Sequence, residues 1–371
     1  LSGNREDAVG ERKRLFPIAP NNVIRDLAFF FLSAFAVLAL ATGYWSFVSR
    51  DSLVSRGDNP RALILYNRTQ SERGRILDRD GAVLAETTGA PDDYTRHYEL
   101  REAAAHITGY ASFSYGLSGI EAAADSTLSG DERLTDFERW WRHDLLGEIQ
   151  VGRDVQLTLD LNLQQSAFDA LAGRPGAIVI VGPASGDLLA LASSPSFDPA
   201  RLDADFETIS ANVNGPLINR ATTALYPASQ LLALFPPTLD LSSAPDLPIP
   251  TSPADSDKVS PLQMALLAAA IVNNGEMPAP RLMTSVQTAT GHPIAVIPPD
   301  AADALRARFE SNAVSLSLTL PGYAVTLPSG FGEGTVGWFI GFAPDGSYAI
   351  CVLLEDGTGA EAAETAVLAL K

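Results

Sequence analysis

The sequence predicts an α+β protein carried by a single transmembrane helix. Three observations point there: one long uncharged apolar run near the N-terminus, paired strand-like runs joined by tight glycine turns, and short capped helices around them. The 371 residues are 46% hydrophobic and 19% charged, which is ordinary globular material and enough for two domains. A formal net charge of −18 excludes nucleic-acid binding, since phosphate recognition needs clustered Lys and Arg. No residue pattern calls for a cofactor or a metal.

The apolar run, Leu27 to Ser49, is 23 residues without a charge, long enough as helix to cross about 30 Å of hydrocarbon with some tilt. Tyr44 and Trp45 suit the headgroup region near its second end. Arg5, Arg12, Lys13, Arg14 and Arg25 precede it, against Arg50, Arg56 and Arg61 just after, so residues 1–26 are expected in the cytoplasm. A cleaved signal peptide is the competing reading, with Ala39-Leu40-Ala41 as its site. The run continues well past a normal signal core, which favours a retained anchor in the plasma membrane and the rest of the chain outside.

Two blocks follow, 50–150 and 151–371. In the first, Gly74 to Ala85 alternates around an Asp-Gly turn, as a hairpin does. Asp78 and Asp80 resemble the start of a calcium loop, but Gly89 stands where its closing glutamate belongs, so the segment is a turn. Trp140-Trp141 is either a partner patch or, more commonly for such pairs, interior packing. In the second block Asp160 caps a helix over 161–171, and strands 176–181 and 188–192 flank the turn Pro183 to Asp187. Ser260 caps a helix with Pro261 at its first position, ending at Asn273-Asn274-Gly275. A last hairpin pairs 338–342 with 348–352 across Pro344-Asp345-Gly346, and 360–370 reads as a helix. Cys351, the sole cysteine, lies in an apolar strand and forms no internal disulfide.

Several of these segments, in this order, resemble the class B penicillin-binding proteins. Arg73-Gly74-Arg75-Ile76-Leu77-Asp78-Arg79-Asp80-Gly81 is similar to that family's signature beyond the membrane. His106 to Tyr110, Tyr115 to Glu121 and Leu128-Ser129-Gly130 are similar to the end of its pedestal domain. Leu157 to Asp160, Pro195 to Pro199, Ser260 to Ala265 and Trp338 to Pro344 are similar to landmarks of its penicillin-binding domain. The resemblance implies an anchor, a small pedestal over 50–150 and a truncated transpeptidase-like domain over 151–371, with an antiparallel sheet and flanking helices.

The family's chemistry uses S-x-x-K, S-x-N and K-T-G. Ser and Lys at i and i+3 share a helix face, so the amine can take the hydroxyl proton. Here Tyr226-Pro227-Ala228-Ser229-Gln230-Leu231-Leu232 puts Ser229 at the nucleophile position and Leu232 at the lysine's. Realignment does not help: the chain has three lysines, Lys13, Lys258 and Lys371, and Gly10, Asp255 and Leu368 stand three residues before them. Ser210-Ala211-Asn212 fits S-x-N but precedes Ser229 rather than following it, as a chance match in a loop would. Leu327 followed by Pro328 replaces the start of K-T-G. The helix after Ser229 is expected to stop before Pro236-Pro237. Losing nucleophile or base from a serine protease costs about 10⁶ in turnover, and here an amine, a motif and a binding strand are missing together. Lys258, with Asp255 and Asp257 as neighbours, reads as a solvated surface lysine.

The resemblance therefore implies a non-catalytic scaffold or activator in peptidoglycan synthesis or cell division, partnered through anchor and pedestal with a polytopic glycosyltransferase. Two other readings stand beside it: a weak D,D-transpeptidase acylated at Ser229, and a module binding cell-wall peptides or β-lactams reversibly.

Overall fold

In the computed structural model, residues 20–45, 71–90, 94–112, 114–130, 135–146, 150–237, 239–284, 292–316, 320–330 and 334–371 are described. Two units are distinguished, residues 1–60 and 61–371.

The first unit holds helix α1, Pro20–Gly43. Its stretch Ile24–Gly43 has a mean hydropathy of 2.0, so by length and composition it fits a single-pass anchor. Proline at the helix start has no amide to lose, and the polar turn that follows lets the helix begin before the expected Leu27, taking in the Arg25–Asp26 pair. Thr42 donates to Leu38 O at 2.8 Å, satisfying the hydroxyl inside the helix. Residues 46–49 of the expected span lie outside the described residues.

The second unit opens with β1 (Ser71–Glu72), β2 (Ile76–Leu77), β3 (Val83–Thr88) and β4 (Thr95–Tyr98). The hairpin expected over 74–85 is β2 on β3. Its turn is built by Asp78, which is 3% exposed and accepts from Asp80 N and Ala82 N, with Gly81 at φ +88°. Short helices α2 (Ala105–Thr108) and α3 (Gly119–Ala123) follow, then α4 (Asp136–Arg139), which continues as a π turn over Trp140–Leu145. Trp141 is not interior: it is 46% exposed and stacked on Phe137, itself 57% exposed. The chain returns through β5 (Gln150–Val151), parallel to β1, and β6 (Val155–Gln156), which joins the sheet β4-β3-β2-β6. Gly74 and Gly152 make the crossing possible, since a Cβ on either would strike backbone of Arg153 or Leu128.

One ion network ties this region together. Glu121, fully buried, accepts from Arg73 Nε and Arg96 Nε, each at 2.7 Å, and Arg73 also meets Asp125 at 2.6 Å. Burial alone would raise the Glu121 carboxyl, but the two guanidinium groups outweigh it and hold its pKa below the usual carboxylate value.

Next come α5 (Leu161–Leu171), β7 (Gly176–Val181), β8 (Leu188–Ser194), α6 (Leu202–Ser210), β9 (Tyr226–Pro227), α7 (Ser229–Leu232), β10 (Lys258–Val259), α8 (Pro261–Val272), α9 (Pro299–Leu316), β11 (Gly322–Pro328), β12 (Thr335–Phe342), β13 (Ala349–Glu355) and α10 (Gly359–Leu368). The main sheet is antiparallel, ordered β8-β7-β13-β12-β11. Its strand faces sort with period two: Ala177, Val179 and Val181 join the core around α8, while Ile178 and Ile180 join the cluster around α5 and α10. Covered on both faces, β7 is buried throughout. Helix α8 is apolar all round because it is buried all round, and its Ser260–Gln263 capping box satisfies the first turn. Asp160 caps α5 as expected, accepting from Leu163 N at 3.0 Å, while Asp78 reaches across from β2 to Leu161 N at 3.3 Å. Cys351 is buried, and burial raises its thiol pKa.

Candidate functional site at Ser229

The site is assembled around Pro227. Strand β9 pairs with β10, Tyr226 opposite Val259 and Pro227 opposite Lys258. Ala228 N donates to Asp257 O at 2.8 Å, and Trp338 Nε1 donates to Pro227 O at 2.9 Å. Gly330, just past β11, lies against the Pro227 ring. Three sequence segments far apart, around 229, 258 and 330, are thereby brought together.

Ser229 is exposed and starts α7, a single turn whose N-cap residue, Ala228, offers no side-chain cap. The helix ends at Leu232, before Pro236-Pro237, as the prolines require. Leu232, one turn on from Ser229, is half-buried against the main core. It lines a cleft of about 310 Å³ with Pro236, Leu239, Leu241, Val259 and Asp240. Leu232 brings no amine to this cleft, where Asp240, Ser242 and Ser256 stand beside the apolar side chains.

Behind Ser229, a polar cluster keeps the chain in place. Arg220, 5% exposed, donates to Glu355 at 2.8 Å, to Asn214 O at 2.6 Å and to Gly215 O at 3.1 Å. Tyr226 donates to the same Glu355 oxygen at 2.6 Å. Burial, then the Glu355 charge, push the Tyr226 phenol upward, so it stays a donor. This cluster borders a cleft of about 380 Å³ that also exposes Ser329, Thr335 and Asp356.

On the side opened by the short helix runs a strap over 236–257, described except for residue 238. It is stapled down: Ala254 N and Gln263 Nε2 both donate to Leu241 O, at 3.0 and 3.2 Å, and Ser252 N donates to Thr222 O at 3.0 Å. Ile249 is 2% exposed beneath it.

Of the residues singled out by sequence, Ser210 closes helix α6 rather than lying in a loop, its hydroxyl bonding back to Glu207 O. Leu327 is 3% exposed and belongs to the main core, so its side chain points away from the surface that Pro328, exposed, and Ser329 share with Pro227. Lys258 is half-buried on β10 rather than solvated in a loop. Lys13 lies outside the described residues. The Arg220–Glu355–Tyr226 cluster went unnoticed in the sequence because its members are 129 and 135 residues apart. Among the described residues no group of three or more His, Cys, Asp or Glu side chains could hold a metal.

Comparison with known proteins fits this geometry. The Penicillin binding protein A dimerisation domain family matches residues 73–155, and the Penicillin binding protein transpeptidase domain family matches 250–369. The chain is similar to the peptidoglycan D,D-transpeptidase PbpA of Mycolicibacterium smegmatis, 33% identical over 226 residues, covering 54% of this chain and 45% of that protein. It is also similar to the peptidoglycan D,D-transpeptidase MrdA of Escherichia coli K12, 31% identical over 164 residues, covering 36% of this chain and 26% of that protein. The chain thus spans less than half the length of these curated relatives. The crystal structure of penicillin-binding protein A from M. tuberculosis as an imipenem acyl-enzyme superposes with a TM-score of 0.67 at 21% identity, over 82% of this chain and 99% of that one. The D,D-transpeptidase domain of a peptidoglycan glycosyltransferase from Eggerthella lenta gives 0.66 at 24%, over 81% and 97%.

The two matched domains, with the curated relatives, place the chain among the penicillin-binding proteins. More narrowly, the chain belongs to the class B branch of that family. Neither family match includes Ser229, which falls in the interval between them.

Proposed function

We propose that this chain is a membrane-anchored, non-catalytic member of its family that serves peptidoglycan synthesis as a scaffold or activator for a polytopic glycosyltransferase. One observation carries the reading: Leu232 lies one turn from Ser229, and no lysine in the chain has a serine three residues before it. A serine hydroxyl without a positioned base is a weak nucleophile near neutral pH. The relatives' names describe D,D-transpeptidases, so the reading departs from them at this site; its setting, outside a plasma membrane with the N-terminus inside, rests on the apolar helix and the basic residues before it. The pedestal, whose signature residues build a buried ion network, is the part of the chain still furnished for a role.

In the third motif, strand alternation supports Pro328-Ser329-Gly330 as the degenerate counterpart of K-T-G, one residue on from the Leu327 alignment, because Leu327 faces inward. The missing charge is the same in either register.

Fluorescent penicillin resolved on a denaturing gel tests the proposal. No covalent band, together with co-purification of a polytopic glycosyltransferase, is the expected result; a band lost in Ser229→Ala overturns it. A second reading, weak acylation at Ser229, has one observation in its favour: Lys258 sits opposite Pro227, two residues from the serine. If that reading holds, the band disappears in Lys258→Ala as well.

A further inference from the structure

Helix α6 follows β8 in the chain but packs on the pedestal. Its apolar side chains, Leu202, Phe206 and Ile209, recur at helical spacing and gather with Ala105, Tyr110 and Phe197 in a small core of their own, apart from the two larger clusters around the main sheet. Polar and aromatic contacts add to the grip. In the pedestal, Ala111–Ser112 pairs with Gly116–Leu117, and from this hairpin Ser112 Oγ donates to Asp203, as Ser114 N does to the same carboxylate oxygen at 3.4 Å. The ring of Tyr115 stacks on Phe206, with centroids 3.8 Å and planes 21° apart.

At its other end α6 runs into the loop that holds Arg220. Asn214 and Gly215, just past the helix, give their carbonyls to the Arg220 guanidinium at 2.6 and 3.1 Å. The same guanidinium reaches Glu355 at 2.8 Å, at the oxygen that also receives the hydroxyl of Tyr226, which stands close before Ser229. A guanidinium only 5% exposed loses two of its acceptors at a large desolvation cost, so the loop and Arg220 move together or stay together.

We infer that α6 is a conformational lever between the pedestal and the Ser229 corner: its release by the pedestal hairpin loosens the 211–218 loop, Arg220 and β9 as one unit. The coupling runs through contiguous packed and hydrogen-bonded groups. Its weak joint is the small core beneath α6, where three helix side chains do the holding, whereas β7 at the centre of the fold is buried throughout. Whatever binds the pedestal better with α6 released than with it gripped shifts the corner by that same difference in affinity. The lever works in the same way whether Ser229 is silent or acylated, so it stands apart from the proposed function.

Hydrogen exchange of the full chain in detergent micelles, read by mass spectrometry, tests this. The amides of Ile218, Arg220, Thr223 and Ala228 are hydrogen-bonded and report the corner. Strand β13, paired on both sides, reports the fold as a whole. In Tyr115→Ala, exchange across 216–228 is expected to quicken several-fold with β13 unchanged. Glu207→Ala, on the exposed side of α6, is expected to leave both as they were. Faster exchange confined to 202–211, or no change at all, overturns the inference, because α6 then rides on the pedestal and carries nothing. An equal rise in Glu207→Ala overturns it too. If Tyr115→Ala quickens β13 as well, Ser112→Ala, which deletes one hydroxyl, repeats the test, and a joint rise of 216–228 and β13 there also overturns the inference.

Discussion

The Glu121 network of the pedestal and the Ser229 corner differ in how much of their chemistry is closed. Around Glu121 the charges answer one another: two guanidinium groups, the Glu121 and Asp125 carboxylates and backbone carbonyls interlock, with Arg96 Nη2 buried and without a partner among the described residues. Around Ser229 the hydroxyl faces solvent and its expected partner is a leucine. The contrast teaches where the fold depends on particular residues. A buried network left half-made is costly, whereas an exposed serine without a base costs the fold almost nothing.

The sharpest way to break this comparison is Glu121→Ala, which strands Arg73 and Arg96 together in the interior. We expect a loss of about 3–5 kcal/mol in chemical denaturation, and a far smaller one would remove the network from the centre of the account. Next is pH. The ring of His106 lies edge-on to Phe197 at 5.4 Å, and its Nε2 is shut off from solvent without a partner. Burial lowers its pKa to about 4, against a bond to the Pro195 carbonyl that raises it, and Arg220 adds to the lowering. The folded state thus binds the proton less readily than the unfolded chain, whose histidine titrates near 6.5. Stability is full above about pH 6.5 and falls as pH drops towards 4, by about 3 kcal/mol, with no further loss from this group below that. In His106→Gln that slope should flatten, as read from denaturation midpoints across the range. Gln263→Ala comes third: losing half the capping box and the staple on Leu241 O should cost about 1–2 kcal/mol and open the strap to proteolysis between 239 and 254. The smallest effect is Ser229→Ala, within about 0.5 kcal/mol of the parent. A larger change would mean that the hydroxyl is held by something, and the corner is not as empty as its geometry indicates.

What could be read in the sequence follows the range of the interactions involved. The hairpins at 74–85, 176–194 and 335–355, and the caps Asp160 and Ser260, are decided within a few residues, and each formed where its turn glycine or capping side chain placed it. Strand β11 is legible only through the family's strand motif and not from its own pattern: it is an edge ending in Pro328, with only Leu327 and Gly322 buried, and so lacks a clean alternation. Helix α9 was missed because its buried positions, Ala302, Leu305, Phe309 and Ala313, are spaced by charged residues and small alanines that blur the periodicity. The salt-bridged pairs of Glu121 join residues 25 and 48 apart, beyond any local signal. The scarcity of lysine, by contrast, is plain from a count, since it needs no geometry. Lys258 shows the opposite limit. Its acidic neighbours suggested a solvated side chain, and only the β9–β10 pairing revealed how near it stands to Ser229.

The reach of Asp78 to the first turn of α5 has a practical corollary. Because Ile76, Leu84 and Ile107 share one interior with Leu157, Val179 and Leu267, a boundary drawn after residue 150 divides the sequence but not the cooperative unit. Calorimetry on the whole chain should show the region after residue 70 melting in a single transition, and a fragment starting at 151 would come out as an aggregate for want of its neighbour's wall.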